Sequence, residues 1–346
     1  MNPLHRFAAG VLLLGWTASC PALAAAPVGS AYRLSRALPI GGAGGWDYMT
    51  VDSEHGLLFA TRSTHTQVIK AATGKVVADI PGQKRSHGVA LVPSAGRGFI
   101  SDGGDGSVEI FDLKTYAVLG KIAVEPDADG IIYDPASGKV LVVSGDGGSL
   151  IPISPDVDPK TGKAGPNIAL GGKPEGLVSD GKGRVYVDLA DKGMIAVVDM
   201  KAMKTVAWWP TLPGEVPTGL AIDPRNRRLF VGCRNPRKLV IMDADDGKVL
   251  AALPIGAGND ATGFDEGAAF ASGGDGSLTV VREVKPGEFA VTQTVRTRPG
   301  ARTLGVDRRT HALYLPTATF GKKVNPRGWP VPEPGTFEIL QVSLKS

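Results

Sequence analysis

A block of about 42 residues recurs along this chain, and a repeat of that length restricts the fold more than any single motif does. Each unit has a Gly- or Pro-rich start, an apolar run, and a turn often written Asp-Pro or Gly-Lys. A β-branched or aromatic run, a Gly or Asp turn, and an alternating run ending in an acid follow. Residues 88–124, GVALVPSAGRGFISDGGDGSVEIFDLKTYAVLGKIAV, and 219–255, GLAIDPRNRRLFVGCRNPRKLVIMDADDGKVLAALPI, are two copies of one object. Four strands of roughly five or six residues with tight links fill such a unit, the size of a propeller blade. Unit starts near Asp47, His87, Asp129, Glu175, Thr218, Asp260 and Arg302 predict an all-β, seven-bladed β-propeller. Gly104-Asp105-Gly106-Ser107, Asp146-Gly147-Gly148-Ser149 and Gly274-Asp275-Gly276-Ser277 supply the residues that a hairpin needs where it reverses with positive φ.

The last unit ends after three strands. Its missing fourth is expected at the other end of the chain, in residues 32–40, because ALPIG at 37–41 repeats ALPIG at 252–256, the fourth strand of the fifth unit. An N-terminal strand completing the last blade would close the ring and remove the open sheet edges.

Residues 1–24, MNPLHRFAAGVLLLGWTASCPALA, carry one basic residue, a short apolar run and a small-residue Ala22-Leu23-Ala24 site. This reads as a secretory signal, too short for a membrane span, so residues 25–346 are expected to be a periplasmic propeller domain. No other stretch is apolar enough to cross a bilayer. Cys233 would then be the only cysteine of the exported chain and no internal disulfide can form. A formal charge of +4 is too mild for a nucleic-acid binder, and the chain is expected to be a monomer.

The segments VYVDLADKGMIAVVDM, LFVGCRNPRKLVIMDADDGKV and GFISDGGDGSVEIFDLKT resemble the YVTN-type repeat of exported, YncE-like bacterial propellers, and the resemblance covers residues 31–344. It implies the propeller fold and an envelope location and leaves the activity open. The pattern departs from the family in the stretched third unit, SLIPISPDVDPKTGKAGPNIAL, and in the seventh.

The residue before each innermost strand of a propeller points into the mouth of the central channel. Here those positions are Asp47, His87, Asp129, Glu175, Thr218, Asp260 and Arg302, nearly all ionisable, with Trp46 beside them as an aromatic wall. Such a ring suits a site for a small molecule or for a periplasmic or outer-membrane protein, although strand-start side chains also satisfy loop amides. Three chemistries remain open. His87, with Asp47 or Asp129, would serve as a base and Arg302 as an oxyanion partner in lactone or ester hydrolysis. Asp129, Glu175 and Asp260 would hold an oxygen-loving cation, Ca²⁺ or Mg²⁺. The third, non-catalytic ligand binding, is the preferred expectation. A quinone cofactor is disfavoured because docking tryptophans do not recur at the repeat period.

The insertion TFGKKVNPRGWPVPEPG, 319–335, falls between the second and third strands of the last unit, where it would serve as a lid over the channel or as a surface loop. Arg234, Arg237, Lys238, Lys322, Lys323 and Arg327 form a basic rim on the same side. Cys233 closes an alternating apolar run and is expected to be packed, and Asp112, Asp199 and Asp243 are expected to cap turns.

Overall fold

The computed structural model describes residues 31–325 and 330–345, whose regular secondary structure is almost wholly antiparallel strand, with one short 3-10 turn at Pro93–Ala95. The leader and the tip of the insertion, with Arg327 and Trp329, lie outside the described residues. Among the described residues no helix is long and apolar enough to cross a membrane.

Strands that follow one another pair with one another, giving a series of four-stranded sheets. Ala128–Asp134, Lys139–Ser144, Ser149–Ile153 and Ile168–Ala169 form one. Pro174–Ser179 to Lys204–Pro210, Glu215–Asp223 to Val249–Pro254, and Asn259–Asp265 to Glu288–Arg296 bound three more. Residues 49–123 form a single seven-stranded sheet because one strand, Val76–Val92, serves twice: its first half pairs with Ser63–Lys70 and its second with Arg97–Asp102.

The remaining four-stranded sheet joins the two ends of the chain. Tyr32–Pro39 pairs antiparallel with Glu338–Leu344, from Tyr32 opposite Leu344 to Pro39 opposite Glu338, and Ala312–Thr317 and Gly305–Asp307 continue the sheet inward. The strand expected from the shared ALPIG segment is therefore the outer member of the final sheet. Gly106, Gly148 and Gly276 sit at φ 62°, 61° and 90°, as the predicted hairpin reversals require.

Middle strands bury both faces, which explains their unbroken apolar runs. In Lys139–Ser144, Val140 and Val142 pack toward Ala90, Phe99 and Ile110 of the preceding sheet, while Leu141 and Val143 pack toward Val185, Val187 and Leu177 of the next. Alternation along a strand thus sends successive side chains into two different inter-sheet cores. Tyr32, at the first described strand, packs edge-on against Phe270 with ring centroids 5.1 Å apart, so the closing strand joins the core as well as the ladder.

The acids that end each unit cap turns. Asp112 accepts from the amides of Lys114 and Thr115, Asp199 from those of Lys201 and Ala202, and Asp243 from that of Asp245. Cys233 is fully buried, and burial pushes its thiol up to about 12, so it packs rather than reacts.

Candidate functional site

The innermost strands converge, and their first residues meet in a cavity of about 380 Å³ lined by Asp47, His87, Asp129, Glu175, Asp260 and Arg302. Six of the eight residues singled out from the repeat therefore face one space. Backbone contacts between neighbouring inner strands fix them. Tyr48 N and Thr61 Oγ1 both donate to His87 O, at 3.1 and 3.0 Å, and Thr303 Oγ1 donates to Asp47 O at 2.8 Å. A glycine follows His87, Asp129, Glu175 and Thr218 in turn. At Gly130 the reason is close approach: a Cβ there would lie 2.5 Å from Glu175 O on the adjacent strand.

Thr218 and Trp46 are placed differently. Thr218 is buried, donates its hydroxyl to Asn259 O at 2.8 Å, and lines a deeper cavity of about 170 Å³ further down the channel. Trp46 is buried between Phe320 and Phe337, with Arg302 lying 5.8 Å over its ring; it braces the site from behind. Phe320 belongs to the insertion, whose Phe320–Val324 and Pro330–Pro332 form a two-stranded ladder anchored on Trp46.

The basic groups of the cavity are already matched. Arg302 Nε donates to Asp260 Oδ2 at 2.6 Å, Arg302 Nη2 donates to Trp46 O at 3.0 Å, and Arg234 pairs with the other oxygen of Asp260. Arg85 pairs with Asp127, and Lys173 lies between Asp127 and Asp146 at 3.6 and 3.4 Å. The cavity atoms left without hydrogen bonds are of both kinds, Arg85 Nε and His87 Nε2 on the basic side and carboxylate oxygens on the acidic side. Asp129 is 9% exposed and its Oδ1 has no hydrogen-bond partner, and among the described residues the Glu175 side chain has neither hydrogen bond nor ion pair. Burial raises both carboxyls, well above the ordinary value for Asp129, with neighbouring carboxylates adding to the effect.

His87 Nδ1 is 2.6 Å from Asp47 Oδ2 and 3.5 Å from Asp129 Oδ1. Burial works against its charged form, but the bond to Asp47 and the charges of Asp129 and Asp47 outweigh it and lift the ring to about 9. Its Nε2 lies against Gly103, where a Cβ would come within 2.9 Å. Among the described residues, the acid and histidine groups whose ligand atoms lie within 4.8 Å of one another are Asp47–His87–Asp129 and Asp265–Glu266–His311. Asp129, Glu175 and Asp260, the set expected from sequence to hold a cation, do not draw together in that way.

No family model matches the chain, and no curated protein matches it. Among solved structures it is similar to hydrazine synthase of Kuenenia stuttgartiensis, with a TM-score of 0.67 and 13% identity over 80% of this chain and 92% of that one. The fold is of the β-propeller type. At that identity the likeness is one of fold, and no activity passes with it.

Arg85, Asp127, Asp146, Lys173 and Tyr48 complete the cavity wall and were not singled out from sequence. A signal for three of them exists: Arg85, Asp127 and Lys173 each stand two residues before a ring position, so the same register that found His87, Asp129 and Glu175 leads to them. Arg234, expected on a basic rim, is instead drawn into the wall by Asp260. Arg62 carries no such signal. It is fully buried and donates to the carbonyls of Gly41, Ala43 and Gly45 at 3.2, 3.0 and 3.1 Å and to Gln67 Oε1 at 2.7 Å, with its guanidinium 3.6 Å over Phe337. The GGAGG segment before Trp46 and Asp47 is thus wrapped around a buried cation. Gly44, at φ 99° with a would-be Cβ 2.8 Å from Arg62 O, accepts no other residue.

Proposed function

We propose that the chain is an exported, periplasmic seven-bladed β-propeller of the YVTN type, mature from about residue 25, that binds a small polar ligand at the mouth of its channel. Seven hydrophobic clusters support the blade count: six lie between consecutive sheets, including one that joins Leu38 and Ile339 to Leu58 and Ile69, and the seventh, with Phe59 and Phe111, lies between the two halves of the seven-stranded sheet. The leader and the repeat resemblance support export and family.

One observation carries the binding reading: every basic side chain of the cavity is paired with a carboxylate of the chain, while Asp129 Oδ1 is buried without a hydrogen bond and the half-buried Glu175 side chain has neither hydrogen bond nor ion pair. A buried acceptor without a donor is costly, and a ligand that supplies hydrogen-bond donors or positive charge removes that cost. Amines and polyhydroxylated molecules have this chemistry, and a protein partner reaching in with a polar side chain would use the same groups. The hydrolytic alternative is weaker. A ring lifted to about 9 is protonated near neutral pH and cannot act as a base in that state, and Arg302 is committed to Asp260.

Native mass spectrometry of protein from its own periplasm should show a co-purifying small molecule, lost in Glu175→Gln with the fold intact. A panel of lactones and esters should show no turnover. Turnover that disappears in His87→Ala would overturn the binding reading in favour of the hydrolytic one.

A further inference from the structure

We propose that Asp47, His87 and Asp129 form a binding site for a divalent first-row metal ion such as Zn²⁺, placed on one side of the cavity. The inference rests on the reading of that cavity as a ligand site and adds an ion to it. These residues start three consecutive units, so the ring geometry brings together groups about 40 residues apart in sequence. Asp47 Oδ2 and Asp129 Oδ1 flank His87 Nδ1 at 2.6 and 3.5 Å, and all three ligand atoms lie within 4.8 Å of one another.

The second observation is the orphaned oxygen. Asp129 is nine-tenths buried, and its Oδ1, on the side facing His87 Nδ1, makes no hydrogen bond. A bound cation supplies what that atom lacks. Two carboxylates and a neutral imidazole balance a divalent charge, with His87 giving up its proton as the ion enters.

The donor set selects the ion. An imidazole nitrogen beside two carboxylate oxygens suits zinc or another first-row ion, and hard Ca²⁺ and Mg²⁺ prefer oxygen throughout. The surroundings hold the ligands in place. The backbone of His87 is fixed through its carbonyl by Tyr48 and Thr61, Gly103 leaves room for its ring, and Arg302 Nη2 lies 3.8 Å from Asp47 Oδ1, the oxygen not facing His87. Three protein ligands leave coordination positions open to the cavity, so a ligand there would touch the ion directly.

The test uses the whole purified protein, stripped with chelator and titrated with Co²⁺, whose visible absorption reports nitrogen and oxygen ligation, and then with Zn²⁺ in competition. One Co²⁺ per chain, displaced by Zn²⁺, is expected. Asp129→Asn and His87→Gln should each weaken it by more than about tenfold, while Asp265→Asn, in the other acidic cluster, should leave it unchanged. Melting curves identify any variant that fails to fold, and the other then decides. Absence of a Co²⁺ spectrum, or one that survives both substitutions, overturns the proposal. Native mass spectra separate the two readings: an organic ligand without an ion defeats the metal site alone, and an ion without a ligand defeats the ligand reading alone.

Discussion

Leu38→Ala tests whether the ends of the chain hold the molecule together. Leu38 is 3% exposed, stands opposite Ile339 in the closing ladder, and packs among Met49, Leu58, Ile69 and Tyr314. Removing its side chain loses the transfer energy and leaves a cavity between the last sheet and the first, about 2–5 kcal/mol by analogy with other core leucines. An unfolding entropy near 2.1 cal/mol/K per residue, taken over roughly 300 ordered residues, converts this to a fall of ~3–8 °C in the melting midpoint. The control is Arg33→Ala, at an exposed position of the same strand, which should shift the midpoint by no more than about 1 °C. Differential scanning calorimetry reads both. A chain beginning at Gly41 extends the test, because a synthetic peptide spanning Tyr32 to Ile40 should restore its midpoint in a concentration-dependent way. If the shortened chain melts with the intact one, or Leu38→Ala behaves like Arg33→Ala, the closing strand does not hold the ring and the argument from the shared ALPIG segment fails.

Two further outcomes are expected. Asp188 is buried, with Oδ1 accepting from Gly176 N at 2.7 Å and Oδ2 unpartnered, and burial holds its carboxyl well above the ordinary 3.8. Folding must then take up a proton once the pH exceeds the unfolded value, so this group costs stability as pH rises above about 4; Asp188→Asn should melt higher than wild type at pH 8, with the difference shrinking toward pH 4, and a lower midpoint at pH 8 would contradict the buried neutral acid. Arg62→Met removes the donors that hold Gly41, Ala43 and Gly45 and should cost roughly 2–4 kcal/mol, together with faster proteolytic cleavage in residues 41–45.

The fold was legible because it is written repeatedly in the sequence: strand length, turn residues and apolar runs agree from unit to unit, and each copy corrects errors in reading the others. Val76–Val92 departs from that pattern, since one strand is shared by two units and runs on through Pro81-Gly82, where Gly82 sits at φ 109°, instead of breaking there. The ring of site residues was legible for the same reason, because a fixed place in each unit maps onto a fixed place around the axis. Chemistry at that ring was less so. Which carboxylate faces which cation depends on side-chain reach across units: Asp260 lies between Arg234 and Arg302, neither of which is near it in sequence. The cation set drawn from sequence chose three acids by type, whereas the structure brings a histidine between two of the ring's acids and leaves Glu175 apart. Arg62 was the least legible, since a lone arginine at the end of a strand looks like any solvated charge until the glycine loop is seen folded around it. A repeat therefore states where each unit's first residue must go, and the pairing among those residues is decided by the ring that they close.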